Sequence, residues 1–220
     1  MKVPFTTEEF FAVFAAYNGA VWPMQVLFYL LGMTALILSV KETRYSNKII
    51  SAILAGLWLW IGLVYHWRYF ASINGAAYAF GALFILQALL FVWAGVLHQK
   101  LWFRFHSNEY AIVGSLFILY ALVIYPLVCV LSEHGYPALP TFGLPCPTTI
   151  FTFGLLLWTD RRIPKYLLII PVIWSVIGFS AVFQFGVWAD AVLLLTGLIT
   201  PVLIGYRDMR EKELASFLSA

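Results

Sequence analysis

Apolar residues run on for the length of a membrane crossing, break at a few polar or charged positions, and resume, seven times from end to end. The stretches fall at about 23–40, 48–65, 76–97, 110–131, 147–159, 166–183 and 190–206. They are continuous rather than alternating and carry no polar stripe. That predicts helices in lipid, not barrel strands and not the amphipathic helices of a large water-soluble core. Ahead of them, "TTEEFFAVFAAYNGAVW" sets Thr6 and Glu9 at capping-box spacing and puts Phe10, Phe11, Phe14 and Tyr17 on one side. Residues 6–20 are therefore expected to form an interfacial helix flat on the membrane surface, with Gly19 and Pro23 turning the chain into the first crossing. The fold class is all-α. It is a single polytopic membrane bundle over 1–220, with seven transmembrane helices, an N-terminal interfacial amphipathic helix and a tail at 207–220.

Composition agrees. Of 220 residues, 63% are hydrophobic and 10% are charged, where soluble domains run at about a quarter charged. The opening "MKVPFTTEEFF" has acids and an early Pro4, so it does not read as a signal peptide. Eleven of the 13 basic residues fall after the first, third, fifth and seventh stretches, and only Lys2 and Arg68 fall on the other side. Basic residues favour the cytoplasm, which predicts the N-terminus outside and the C-terminus inside. Trp102, Trp158, Tyr166 and Tyr206 would then mark the inner interface, and Trp22, Trp67, Tyr69 and Trp188 the outer one. The net charge of +3 sits in these short loops and gives no sign of a nucleic-acid partner. A shift of 116 residues lays Trp58, Gly62, Asn74 and Gly81 on Trp174, Gly178, Asp190 and Gly197, a faint echo that would fit a 3+1+3 pseudo-repeat.

The fifth stretch raises a geometric problem. From Pro147 to Asp160 it offers only about 14 residues, roughly 20 Å of helix, against a hydrocarbon slab of about 30 Å. With Asp160–Arg162 at the inner face, the helix would begin roughly 10 Å below the outer face. The preceding "YPALPTFGLPCP" would then descend into the membrane without helical hydrogen bonds. Such backbone needs shelter in protein or a wet cavity, so an outward-facing pocket is expected with the start of this helix as its floor. Pro147 suits the first helical position, which makes Cys146 the expected cap. The N–H groups of Thr148 and Thr149 would face its sulfur or hold an anionic or polarisable group, and the thiol would gain thiolate character. The opposing reading is a small residue in a tight turn.

The expected lining of that pocket is Asn18, Trp22, His66, Asn74, Cys146, Thr148, Thr149 and Asp190. His66, His134 and Cys146 are the candidates for a metal, with Glu133 and Cys129 at similar depth, although their spacings match no ligand motif. Each has a plainer account: interfacial histidines, Asn74 and Asp190 as helix caps, and Cys129 with Cys146 as one disulfide on an oxidising side. Charged residues inside the stretches are essentially absent, which argues against a proton pump or a steeply ion-coupled carrier. Gln87, Thr152, Ser175, Ser180, Thr196 and Thr200 read as helix–helix hydrogen-bonding groups. The seventh stretch has no lysine for a retinal Schiff base, and no hydrolase, zinc-protease or paired-cysteine motif occurs.

"YNGAVWP", "GLVYHWRYFASINGAA" and "YPALPTFGLPCPTTIFTFGLLLW" together resemble a family of small bacterial multipass integral membrane proteins filed as a domain of unknown function. The resemblance spans nearly the whole chain. It implies an integral protein of the bacterial envelope, placed here in the inner membrane, and assigns no activity, cofactor or site. Some members carry a permease label. The reading is a protein that binds and translocates a small solute or ion from an extracytoplasmic pocket, with the lipid bilayer, the solute and a homo-oligomeric copy as partners. The cofactor is unknown and the reading leans away from an enzyme. The alternatives are an intramembrane metal or thiol/redox enzyme using Cys146 with His66 or His134, and a non-catalytic sensor or assembly subunit.

Overall fold

The computed structural model describes residues 4–131 and 135–218. Its order is α1 (Thr7–Val21), α2 (Met24–Val40), α3 (Ser46–Ser72), α4 (Ala77–Leu97), α5 (Glu109–Leu131), α6 (Pro145–Leu157), α7 (Tyr166–Phe185) and α8 (Ala191–Leu218), the last entered through a 3₁₀ turn at Trp188–Asp190. Every apolar stretch is a helix, and the described residues form a helical bundle with only isolated β-bridges. Five helices are long and apolar enough to cross a membrane: α3, α4, α5, α7 and Trp188–Lys212. The 17-residue α2 passes the same test only together with α1, from which it is bent by 84°. Their outward faces carry Leu30, Leu89, Leu116, Val176 and Val202 exposed, the surface lipid would cover.

The N-terminal helix begins as its capping box dictates. The Glu9 N–H donates to Thr6 Oγ1 at 3.2 Å and the Thr6 N–H donates to Glu9 Oε2 at 2.8 Å. The break at Trp22–Pro23 then sends α1 across the end of the bundle, and Phe10, Phe14 and Tyr17 turn inward. Tyr17 accepts the Trp60 indole N–H at 2.8 Å, and Phe10 stacks on Phe185 with centroids 4.2 Å apart.

Helix α6 holds 13 residues, and all of them except Cys146 are buried. It is the axis of the bundle, touching α3, α5, α7 and α8. Its contact with α5 is backbone on backbone: a Cβ at Gly114 would stand 2.7 Å from the Gly154 carbonyl oxygen. Small residues permit this approach, and in lipid close packing is the main force holding helices together. Polar pairs assist, with Trp58 Nε1 donating to Thr152 Oγ1 at 3.0 Å and Gln87 Nε2 to the Leu167 carbonyl at 3.0 Å.

At about 20 Å, α6 is as short as the sequence requires, and the segment before it descends inside protein. Exposure falls from 55% at Tyr136 to 0% at Phe142 and Leu144. Gly143 makes the bend at φ +97°, with Phe28 packed where a side chain would go. The carbonyls of Pro137 and Leu139 each accept a hydrogen from Asn18 Nδ2, at 2.7 and 2.8 Å. Asn18 thus ties α1 to the descending segment and supplies the polar partners that lipid cannot.

The loops after α2, α4 and α6 meet the last helix at the opposite end. Arg104 pairs with Glu42 and lies 3.7 Å from Asp160, and the Glu42 hydrogen bond holds its guanidinium above its ordinary pKa. The Arg104 N–H donates to the Trp158 carbonyl at 2.9 Å, and the Asp160 N–H to that of Trp102 at 2.8 Å. Arg161 lies 3.8 Å above the Trp102 ring centroid. The basic segments therefore share one end. The two helix triplets of the sequence echo pack differently: Gly62 faces Gly81, whereas Gly178 faces Leu193 and Gly197 faces Ser175.

Candidate functional site

A cavity of about 210 Å³ opens beneath α1, at the end away from the basic loops. The rings of Phe5, Phe10 and Phe14 roof it, and Leu144, Pro145 and Cys146 at the start of α6 form its floor. Tyr65, Phe70 and Trp174 stand at its sides, and Asn74, Ser180 and Gln184 bring the outer surface to its rim. The ring network is continuous: Phe5 meets Phe70 and Phe185 at 5.7 and 5.4 Å, and Phe14 stacks on Tyr65 at 5.8 Å. The roof exists because α1 buries its aromatic side and because Asn18 and Tyr17 pin the helix down.

The polar pole of the cavity is Asp190. Only 2% of it is exposed. Tyr125 donates its hydroxyl to Asp190 Oδ1 at 2.6 Å, and the Cys146 thiol approaches the same carboxylate. Among the described residues no lysine, arginine or histidine forms an ion pair with it. The Trp174 indole, also part of the cavity wall, turns its buried N–H toward the Cys146 sulfur. Three helices build this corner: α5 brings Tyr125, α6 brings Cys146, and the turn before α8 brings Asp190.

Of the residues the sequence nominated, Asn74, Cys146 and Asp190 line this cavity, and Asn18, Trp22, His66, Thr148 and Thr149 do not. Asn18 is fully buried in its latch and also accepts from Gln25 at 3.2 Å. Trp22 is 62% exposed at the α1–α2 break, because the bend turns it outward. His66 is fully buried behind Trp174, ring centroids 5.1 Å apart, with both ring nitrogens unpartnered. Thr148 and Thr149 face the packed centre around α6, and the Thr149 hydroxyl bonds back to the Pro145 carbonyl at 2.8 Å. Asn74 does act at a helix start, its Oδ1 accepting the Ala76 N–H at 3.0 Å.

The chemistry expected at the start of α6 changes as well. The helix begins at Pro145, two residues earlier than expected, and its cap is Leu144 rather than Cys146. The Thr148 N–H is thereby committed to the Leu144 carbonyl at 3.2 Å. Prolines at the first and third helical positions leave Cys146 as the only residue of the first turn with an N–H. The main-chain donors that would hold an anion or stabilise a thiolate are reduced to that one N–H, and the acidic group facing the cavity is the Asp190 carboxyl. The sequence nominated Asp190 for the lining, with a helix cap as its plainer account, and the cavity does include it. The available signal was its isolation: no other polar residue lies between Gln184 and Thr196.

Cys129 and Cys146 are both free thiols rather than a disulfide. No group of three metal-ligating side chains occurs among the described residues, and His134 and Glu133 lie outside them. A second hollow, about 190 Å³, sits at the basic end among Arg104, His106, Asp160, Arg207 and Glu211. Its charges already have partners, including His106 with Asp160 at 3.4 Å and Glu211 with Arg162 at 3.5 Å.

Among protein-family models, one described as "Family of unknown function (DUF6064)" matches residues 7–215, and the chain belongs to that family. No curated protein and no solved structure matches it.

Proposed function

For this member of a family of unknown function, we propose a multipass protein of the bacterial inner membrane that binds a small solute in an extracytoplasmic cavity and passes it on. The observation that carries the reading is the aromatic-roofed space between α1 and the start of α6, with a buried acid in its wall. Mostly apolar walls with a few convergent polar groups are the usual make-up of a small-molecule site. Its 210 Å³ is below the roughly 300–1,000 Å³ of pockets for drug-sized ligands, so the solute is small. The orientation rests on the basic end, which the positive-inside bias assigns to the cytoplasm. In that orientation α6 is the fifth of seven crossings, too short on its own and completed by the buried segment before it. Beneath the cavity the core is closed by Trp58, Phe84 and Phe151, all fully buried, so passage requires these helices to move.

Purified full-length protein in liposomes tests this. Uptake of small solutes is expected for the wild type and is expected to fall in Asp190→Asn and Cys146→Ala variants that keep the wild-type melting temperature. Solute binding without flux would reduce the reading to a receptor. Neither binding nor flux across cationic, neutral and anionic solutes would end it.

A further inference from the structure

We infer that the cavity selects a small alkylammonium cation, a conclusion that rests on the solute-binding reading above and names the class of its ligand. Asp190 is nearly fully buried, its neighbours are a phenol and a thiol, and no basic side chain lines the cavity or pairs with it. An ionised carboxylate taken out of water is costly unless a countercharge joins it. The protein supplies none among the described residues, so the countercharge belongs to the occupant or to a proton. The walls choose between these. Phe10, Phe14, Tyr65, Phe70 and Trp174 surround the space, and aromatic faces attract cations most strongly where water is excluded. A ring cage around one acid suits a soft, weakly hydrated cation better than a metal ion, which would require several oxygen ligands. Ser180, Gln184 and Asn74 give the rim neutral polarity, which does not repel a cation on its way in.

The test is isothermal titration of the full chain in phosphatidylglycerol nanodiscs with three probes of one shape. They are choline, the neutral alcohol in which carbon replaces its nitrogen, and the matching carboxylate. Choline is expected to bind at least about tenfold more tightly than the neutral isostere, with no binding of the carboxylate. Asp190→Asn is expected to erase the preference and Asp190→Glu to retain most of it. Equal binding of choline and the alcohol, or an unchanged preference in Asp190→Asn, overturns the cation and leaves the solute site standing. Absence of all three probes removes both. The wild-type series decides the matter even if a variant fails to fold. Repeating it in phosphatidylcholine identifies the source: weaker choline binding means that a lipid headgroup competes for the cage, and unchanged binding means a free solute.

Discussion

The two ends of this bundle solve the problem of burying polar groups in opposite ways. At the basic end the described acids each lie beside a basic group: Glu42 with Arg104, Asp160 with Arg104 and His106, Glu211 with Arg162, Asp208 with Arg207 and Glu109 with Arg210. Arg207, buried, donates to the Thr159 carbonyl at 2.6 Å and to that of Arg161 at 3.2 Å. The loops there are woven by main-chain hydrogen bonds. At the other end, aromatic rings take the place of ion pairs: among the described residues the Asp190 carboxyl has no ion-pair partner, and both ring nitrogens of the buried His66 lack hydrogen-bond partners. The basic end is held by ion pairs and main-chain bonds between loops, and the other end by packed rings around one acid that has no ion-pair partner among the described residues.

That contrast can be broken experimentally, and Arg207→Met should do the most damage. It strands two carbonyls and the neighbouring Asp208 at a buried position, and about 3–5 kcal/mol of stability is expected to go, read as a lower melting temperature in detergent. Alkylation of Cys146 at the far end should be unchanged in the folded fraction, and parallel changes at both ends would show that they are not independent. Asn18→Leu comes next. It leaves the Pro137 and Leu139 carbonyls unanswered, at a cost of about 2–3 kcal/mol. Hydrogen exchange should rise across residues 135–144, and full protection there would mean that Asn18 is not the latch.

Phe10→Leu keeps the roof apolar but loses its ring–ring contacts with Phe14, Phe70 and Phe185, at about 1 kcal/mol. Cys146 should then alkylate several-fold faster, and an unchanged rate would mean that α1 is not the cover. Arg104→Gln should do least. Its partners are exposed, and pairs of that kind contribute little. A small fall in melting temperature should vanish in high salt.

The sequence laid out the apolar helices and the capped N-terminal one, because hydrophobic run length and a capping box are local signals. The brevity of α6 was equally legible, since counting residues against bilayer thickness needs no fold. The consequence was legible too: submerged main chain must be sheltered. What shelters it was not. Asn18, some 120 positions away in sequence, read as a pocket residue and proved to be the group that satisfies those carbonyls.

The same limit applies to the site. Asp190, Tyr125 and Cys146 come from three helices, and nothing in their spacing joins them. The expected charge at the cavity floor depended on where α6 starts. A shift of two residues, with prolines at its first and third positions, reduced the main-chain donors to one N–H and left the acid in command. Run length, charge bias and capping are written residue by residue, so the chain alone determined the helices and gathered its basic residues into alternate loops. Which polar groups find partners is decided only when distant helices pack, so the tertiary structure alone determined that one acid faces an aromatic cavity without a countercharge among the described residues.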